Sequence, residues 1–311
     1  KIMTTDIENM FKDKVLGHPA GLFVLFFTEM WERFSYYGMR ALLVMFFTAS
    51  LLDGGWGWPR EHAYAIFGTY TSLVYLSTLL GGYFADKKIG YRYAVAIGAL
   101  LMTLGHGAMA IETPFFIYLG LTLLVFGSGF FKPNMTSIIS EMYKGKDEKK
   151  DGAYTIFYMG VNAGAFLGIL LCGYLGEQIG WRWGFGLAGI FMLFGLLQFW
   201  FAQNIFGDIG KKPLKIDATV LETSAEEPKL NPFTSVQLTL IGIAGVLGLS
   251  WILNDPVAKI SEGAYNLFNF SLFGMEGSNL AILSALGIFL LLLFIRIPKY
   301  DKITRDRMIA V

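Results

Sequence analysis

Apolar runs of about twenty residues or more recur along the chain, separated by short polar stretches. Six come in quick succession, at about 20–51, 61–86, 93–111, 115–140, 153–175 and 183–204. A polar segment with proline and glutamate follows, about 205–233, and then two more runs at about 234–253 and 279–297. The residues between those last two, about 254–278, are mixed and contain glycine, and 298–311 is basic before it turns apolar. At 1.5 Å per residue, runs of this length match the roughly 30 Å hydrocarbon core of a bilayer. The pattern predicts an all-α membrane protein. A 1–19 N-terminal segment leads into a six-helix bundle over 20–204. A 205–233 linker joins this to a helix pair over 234–297, and 298–311 is a second linker.

Composition agrees. Of 311 residues, 54% are hydrophobic and 16% charged, with a mean hydropathy of +0.51; soluble domains carry about 25% charged residues. A net charge of +1 offers no basis for nucleic-acid binding. Cys172, the single cysteine, excludes an internal disulfide and reads as a buried, inert thiol. The positive charges are unevenly placed. The segment before the first run, the loops 2–3 and 4–5, and the stretch after run 6 hold fourteen Lys and Arg, against two in loops 1–2, 3–4 and 5–6. This bias predicts a cytoplasmic N-terminus; the expected location is the cell (inner) membrane. The first residue is Lys1, which reads as an incomplete reading frame.

The first run is the anomaly, because residues 28–38 read TEMWERFSYYG. Glu29, Glu32, Arg33, Tyr36 and Tyr37 fall at offsets 0, 3, 4, 7 and 8, one stripe of a helix. Arg33 lies thirteen residues into its run, about 20 Å deep. A charge at that depth costs roughly 2.5–3.5 kcal/mol on insertion scales, so it needs partners or water. A self-neutralising Glu29–Arg33 pair that pins helix packing is the structural reading. It leaves Glu32 and both tyrosines unexplained; a polar cavity wall accounts for all five. Lys132 in run 4, Asn162 in run 5 and Tyr75 in run 2 are polar groups that could face the same cavity, and a glutamate of run 1 would offset the burial of Lys132. Asn162 and Tyr75 also fit simple bonding between packed helices. A buried glutamate beside a cation can exchange a proton for a change in what that cation binds, the logic of a proton-coupled carrier.

Gly160, Gly164 and Gly168 recur every four residues in run 5, with Gly127 and Gly129 in run 4, and predict close helix contacts. His18, His62 and His106 lack the i, i+3 or i, i+4 spacing of metal ligands on one helix, so no metal or other cofactor is expected. GGWGWP at 54–59 reads as a loop with interfacial tryptophans, not a phosphate cradle. No Ser-His-Asp or Cys-His set is arranged for catalysis, so no enzyme activity is expected.

TEMWERFSYYG resembles the ExxERFxYYG signature of the proton-dependent oligopeptide transporter family (POT, also PTR) of the major facilitator superfamily. GFFKPN in run 4 and IFYMGVNAGAF in run 5 resemble two further signatures of that family. GGYFADKKIGYR resembles the major facilitator loop 2–3 motif, with Gly82, Asp86, Gly90 and Arg92 in the expected places. The resemblance covers 20–204 well, and runs 7 and 8 resemble the helix pair that bacterial members insert between two six-helix bundles. It implies a symporter importing di- and tripeptides with protons as the coupling ion, by alternating access. Glu29, Glu32, Arg33 and Lys132 would carry proton coupling, with Lys132 paired to the glutamates. Arg33, Tyr36, Tyr37, Tyr75, Lys132 and Asn162 would line the peptide site, and Gly82, Asp86, Gly90 and Arg92 would belong to the conformational gate. The C-terminal six-helix bundle of such members has no counterpart in these runs, so the 311 residues alone are expected not to transport. A relative carrying another solute such as nitrate, or a non-transporting sensor or scaffold, are the competing readings.

Overall fold

The computed structural model describes residues 8, 11, 14–212, 233–300 and 305. It consists of two compact units, residues 1–214 and 215–311. The first holds six long helices: α1 (Ala20–Thr48), α2 (Arg60–Phe84), α3 (Tyr91–Met109), α4 (Pro114–Met142), α5 (Asp147–Gln178) and α6 (Trp181–Ala202). The second holds α7 (Ser235–Ile260) and α8 (Gly277–Arg296). Two-residue strand pairs precede α1 (β1, Lys14–Val15; β2, His18–Pro19) and lie between α7 and α8 (β3, Ser271–Leu272; β4, Met275–Glu276). Six of these helices, namely α2 and α4 to α8, are long and apolar enough to cross a membrane. Helix α1 has the length but carries its charges mid-span.

Glycines set how closely the helices of the first unit approach. On α5, Gly160, Gly164 and Gly168 face Phe26, Met30 and Phe34 of α1, so both helices contribute positions four residues apart. A Cβ at Gly160 would lie 2.9 Å from the Phe26 carbonyl oxygen, inside normal contact. The α3–α4 seam is antiparallel and reciprocal: Gly98 meets Gly127 and Gly105 meets Gly120. Gly81 of α2 meets Gly129 of α4, and Ser77 donates to the Val125 carbonyl across that seam at 2.7 Å. Such small-residue contacts supply van der Waals packing where lipid offers no hydrophobic drive. Helix α6 joins α1 by stacking Phe191 on Phe34, centroids 4.0 Å apart, and by Trp31 Nε1 donating to Gln198 Oε1 at 3.1 Å.

The loop after α1 is folded back rather than extended. Trp56 and Trp58 donate backbone N–H groups to Phe46 and Phe47, their rings pack on the same phenylalanines, and Trp181 Nε1 holds the Asp53 carbonyl at 2.9 Å. The tryptophans expected at an interface therefore also close the end of the bundle. At the opposite end, Phe11 and His18 dock against Tyr143, the His18 Nδ1 to hydroxyl distance being 2.7 Å.

In the second unit a capping box of Thr234 and Gln237 starts α7. Trp251 donates to Ser278 Oγ at 3.0 Å, linking α7 to α8. Asn254 holds the intervening loop through Asn266 and the Leu267 N–H. Arg296 is buried, donating to Gln237 and Tyr300 with its guanidinium 3.8 Å above the Phe233 ring. Most of the 205–233 and 298–311 segments lies outside the described residues.

Candidate functional site

The charged stripe of α1 is one structural object. Glu29 is 6% exposed, Glu32 0% and Arg33 7%, so all three charges are buried. Arg33 Nε lies 2.9 Å from Glu29 Oε1 and 2.5 Å from Glu32 Oε2. One guanidinium edge thus serves two carboxylates, and the triplet carries a net charge of −1. Gly164 of α5 lies directly behind it: a Cβ there would sit 3.0 Å from the Arg33 Cβ. The glycine seam therefore sets how far α1 stands from α5 at the charged turn.

Around this triplet stand tyrosines and two more cations. Tyr36 and Tyr37 meet edge to face, centroids 5.3 Å apart. The Arg33 guanidinium carbon lies 5.2 Å from the Tyr36 centroid and 6.0 Å from that of Tyr37. Arg40, one further step along the same stripe, lies 5.4 Å and 5.8 Å from the same rings and 5.0 Å from Phe67 of α2. Lys132 of α4 places its ammonium 4.2 Å from the Tyr36 centroid and 5.6 Å from that of Tyr75. Cations on aromatic faces gain about 0.5–2 kcal/mol each, more where water is excluded.

The expected pairing of Lys132 with the glutamates is not an ion-pair contact here. Its ammonium faces Tyr36, and it interacts with Glu29 and Glu32 only at longer range. The Nε edge of Arg33 already occupies both carboxylates, which leaves the tyrosine face as the nearer partner for Lys132. Counting Arg33, Arg40 and Lys132 against Glu29 and Glu32, the cluster has one positive charge in excess.

Tyr75 is 65% exposed, consistent with a wall position. Asn162 is exposed on α5, on the edge away from the glycines. Among the described residues, no hydrogen bond, ion pair or ring contact joins it to the cluster. Arg40 was missed in the sequence, although its offset of eleven from Glu29 is three helical turns and aligns with the stripe.

The loop 2–3 motif lies at the end of the bundle where α1 starts. Asp86 is exposed in a π-helical turn (Ala85–Ile89). Gly82 has open space around it. Gly90 has φ +82°, and a Cβ there would lie 2.6 Å from the backbone of Lys211 and Lys212. Arg92 donates to the Gln203 and Gly207 carbonyls, both at 2.6 Å, and its N–H to Gly210. Glu141 at the end of α4 accepts from the Gly210 N–H at 2.8 Å. Gly90, Arg92 and Glu141 thus hold the chain as it leaves α6, and in particular Arg92 satisfies carbonyls that the helix end leaves open.

A family model described as POT family matches residues 92–225. A peptide transporter of Yersinia enterocolitica is 45% identical over 186 residues, covering 59% of this chain and 36% of its own length. A di-/tripeptide transporter of Lactococcus lactis is 36% identical over 259 residues, 81% of this chain and 50% of its own. Among solved structures, a peptide transporter POT in complex with sulfate superposes with a TM-score of 0.70 at 34% identity, covering 99% of this chain and 59% of that one. A mutant POT with sulfate gives a TM-score of 0.66 at 30% identity, covering 95% and 70%. The chain belongs to the POT family. It is a multi-pass membrane protein with the six-helix bundle of a major facilitator followed by two extra helices. It spans about a third to a half of the length of these curated relatives. The POT signature residues Glu29, Glu32, Arg33, Tyr36, Tyr37 and Lys132 are the ones the fold brings together, with Tyr75 at their edge.

Proposed function

We propose that these residues form the N-terminal portion of a proton-coupled symporter that imports di- and tripeptides by alternating access. The observation that carries this reading is the buried Glu29–Arg33–Glu32 triplet, flanked by Tyr36, Tyr37, Arg40 and Lys132. Protonating Glu32 removes one of the two anions held by Arg33. The cluster then has two positive charges in excess, and Arg33 can engage a peptide carboxylate, for which a guanidinium is suited. Deprotonation restores the ion pair and weakens that grip. Coupling lies with Glu29, Glu32, Arg33 and Lys132. The peptide is met by Arg33, Tyr36, Tyr37, Tyr75, Lys132 and Asn162, with Arg40 added from the geometry. Gly82, Asp86, Gly90 and Arg92 serve the gate, with Arg92 acting by tethering the exit of α6. A second six-helix bundle supplies the facing wall. The Lys and Arg distribution supports a cytoplasmic N-terminus, and the likeness to peptide transporters of Yersinia and Lactococcus supports a cell (inner) membrane and the cargo.

The test is uptake of labelled dialanine by the full-length protein in proteoliposomes under an inward proton gradient. Di- and tripeptides are expected to compete, and tetrapeptides and nitrate are not. Flux that ignores peptides but follows nitrate would replace the peptide reading by that of an anion carrier.

A further inference from the structure

Helix α6 is apolar along most of its length. From Gly184 to Ala202, Gln198 is the only residue with a charged, amide or hydroxyl side chain. Inside a bilayer such an amide finds no water and needs partners in the protein. Both of its partners are on α1. Its Nε2 donates to the Val24 carbonyl at 3.2 Å, and its Oε1 accepts from Trp31 Nε1 at 3.1 Å. Only one orientation of the amide satisfies both, since an indole N–H only donates and a carbonyl only accepts. Val24 and Trp31 are about two turns apart on one face, so this single side chain spans the stretch of α1 that contains Glu29.

The face it grips is opposite the charges. At about 100° per residue, Val24 and Trp31 lie about 200–220° round α1 from Glu29, whereas Glu32, Arg33, Tyr36 and Tyr37 fall within about 80° of it. The same edge of α6 adds Phe191, stacked on Phe34, and Gly195, where a Cβ would lie 3.2 Å from the Trp31 Cβ. The glycine seam with α5 sets how close α1 stands, but packing forces have little direction and resist rotation about the helix axis weakly. Hydrogen bonds weaken steeply when misaligned, and so resist it. Turning α1 by about 20° would carry a charged head about 6 Å from its axis through about 2 Å. A misplacement of about 1 Å can already cost about a hundredfold in rate.

We propose that Gln198 is a positioning residue for the Arg33 cluster. Its amide clasps Val24 and Trp31 and fixes the rotation of α1, so that Glu29, Glu32 and Arg33 meet peptide and proton in their working geometry. Gln198 acts only through α1: among the described residues, no hydrogen bond or ion pair joins it to those charges. This rests on the peptide-symporter reading above.

The test uses the full-length protein as wild type, Gln198→Met, Trp31→Phe, the double variant and Trp181→Phe. Methionine keeps the length of Gln198 without its hydrogen bonds, and phenylalanine at 31 keeps a ring against Phe191 without the indole N–H. Trp181→Phe is the control: it also removes a single indole bond, to the Asp53 carbonyl, but on the loop after α1. Dialanine affinity in detergent, the pH profile of proton-driven uptake and the thermal midpoint are read for each. Gln198→Met and Trp31→Phe should each weaken dialanine binding about tenfold and shift the pH profile, and the double variant should be no weaker than either, because the two share one clasp. Trp181→Phe should lower the midpoint by a similar few degrees and bind dialanine as wild type does. Wild-type affinity and pH profile in Gln198→Met, with only the midpoint lowered, would make Gln198 a packing residue and overturn the proposal. Multiplying losses in the double variant, or equal loss of affinity in Trp181→Phe, would overturn it too. Wild type that binds dialanine but shows no proton-driven uptake would overturn the coupling reading instead, and the affinities alone would then decide the clasp.

Discussion

Gly164→Ala bears directly on how the fold holds the charged site. The α1–α5 seam is built on Gly160, Gly164 and Gly168 against Phe26, Met30 and Phe34. A methyl at Gly164 would run into the Met30 carbonyl oxygen and stand 3.0 Å from the Arg33 Cβ. Neither neighbour is the free end of a flexible side chain, so the helices must part. Overpacking of this kind costs about 1–3 kcal/mol. The same substitution at Gly173, on the same helix with nothing within 4 Å, meets open space. There alanine should gain about 0.8–1 kcal/mol of helix propensity. Thermal unfolding of the two variants in detergent separates the cases: the midpoint of Gly164→Ala should fall by several degrees, and that of Gly173→Ala should hold or rise. Because the added methyl lies beside Arg33, peptide affinity should fall in Gly164→Ala more than in Gly168→Ala, whose clash is with the Phe34 backbone. A Gly164→Ala protein with wild-type stability and affinity would refute the close seam as the device that positions Arg33.

Further outcomes follow from individual contacts. Glu32→Gln should abolish proton-driven uptake in proteoliposomes and spare peptide counterflow; unchanged proton-driven uptake would refute its coupling role. Arg40→Gln should raise the KM for peptide about tenfold, the loss of one charge-assisted contact, with kcat less affected, read from initial rates. Trp181→Phe removes the bond to the Asp53 carbonyl and should cost about 1 kcal/mol, with faster amide exchange in residues 50–58. His18 is held below its ordinary pKa of 6.5 by burial first and by Lys149 second. Its neutral form is therefore favoured by docking, so the stability it lends is complete above about pH 6.5 and is lost as pH falls below that value. Hydrogen exchange in residues 14–19 should quicken below pH 6.5, and His18→Gln should remove that dependence.

The helices were legible because their periodicity and length are physical requirements of the bilayer, and all eight runs appear as helices. Helix α5 starts earlier than its apolar run, at Asp147, because Asp147 and Glu148 suit a helix N-terminus. The α1 stripe was legible for the same reason: one helix carries Glu29, Glu32 and Arg33, so a spacing rule places them together. What lies between helices was not. Lys132 had two kinds of candidate partner, carboxylate and aromatic ring, and spacing along α4 cannot choose between them. Arg40 was in register yet stood beyond the motif that drew attention. Arg92 reads as a gate residue from its motif, and its bonds to the Gln203 and Gly207 carbonyls depend on where α6 ends in space.

The central claim, that peptide and proton move together through the Arg33 cluster, has a direct measurement. A pH-sensitive dye is enclosed in proteoliposomes of the full-length protein, and dialanine is added outside at equal pH on both sides. The account predicts acidification of the lumen on adding dialanine, absent in Glu32→Gln. Dialanine entry without acidification, or acidification that survives Glu32→Gln, would contradict it.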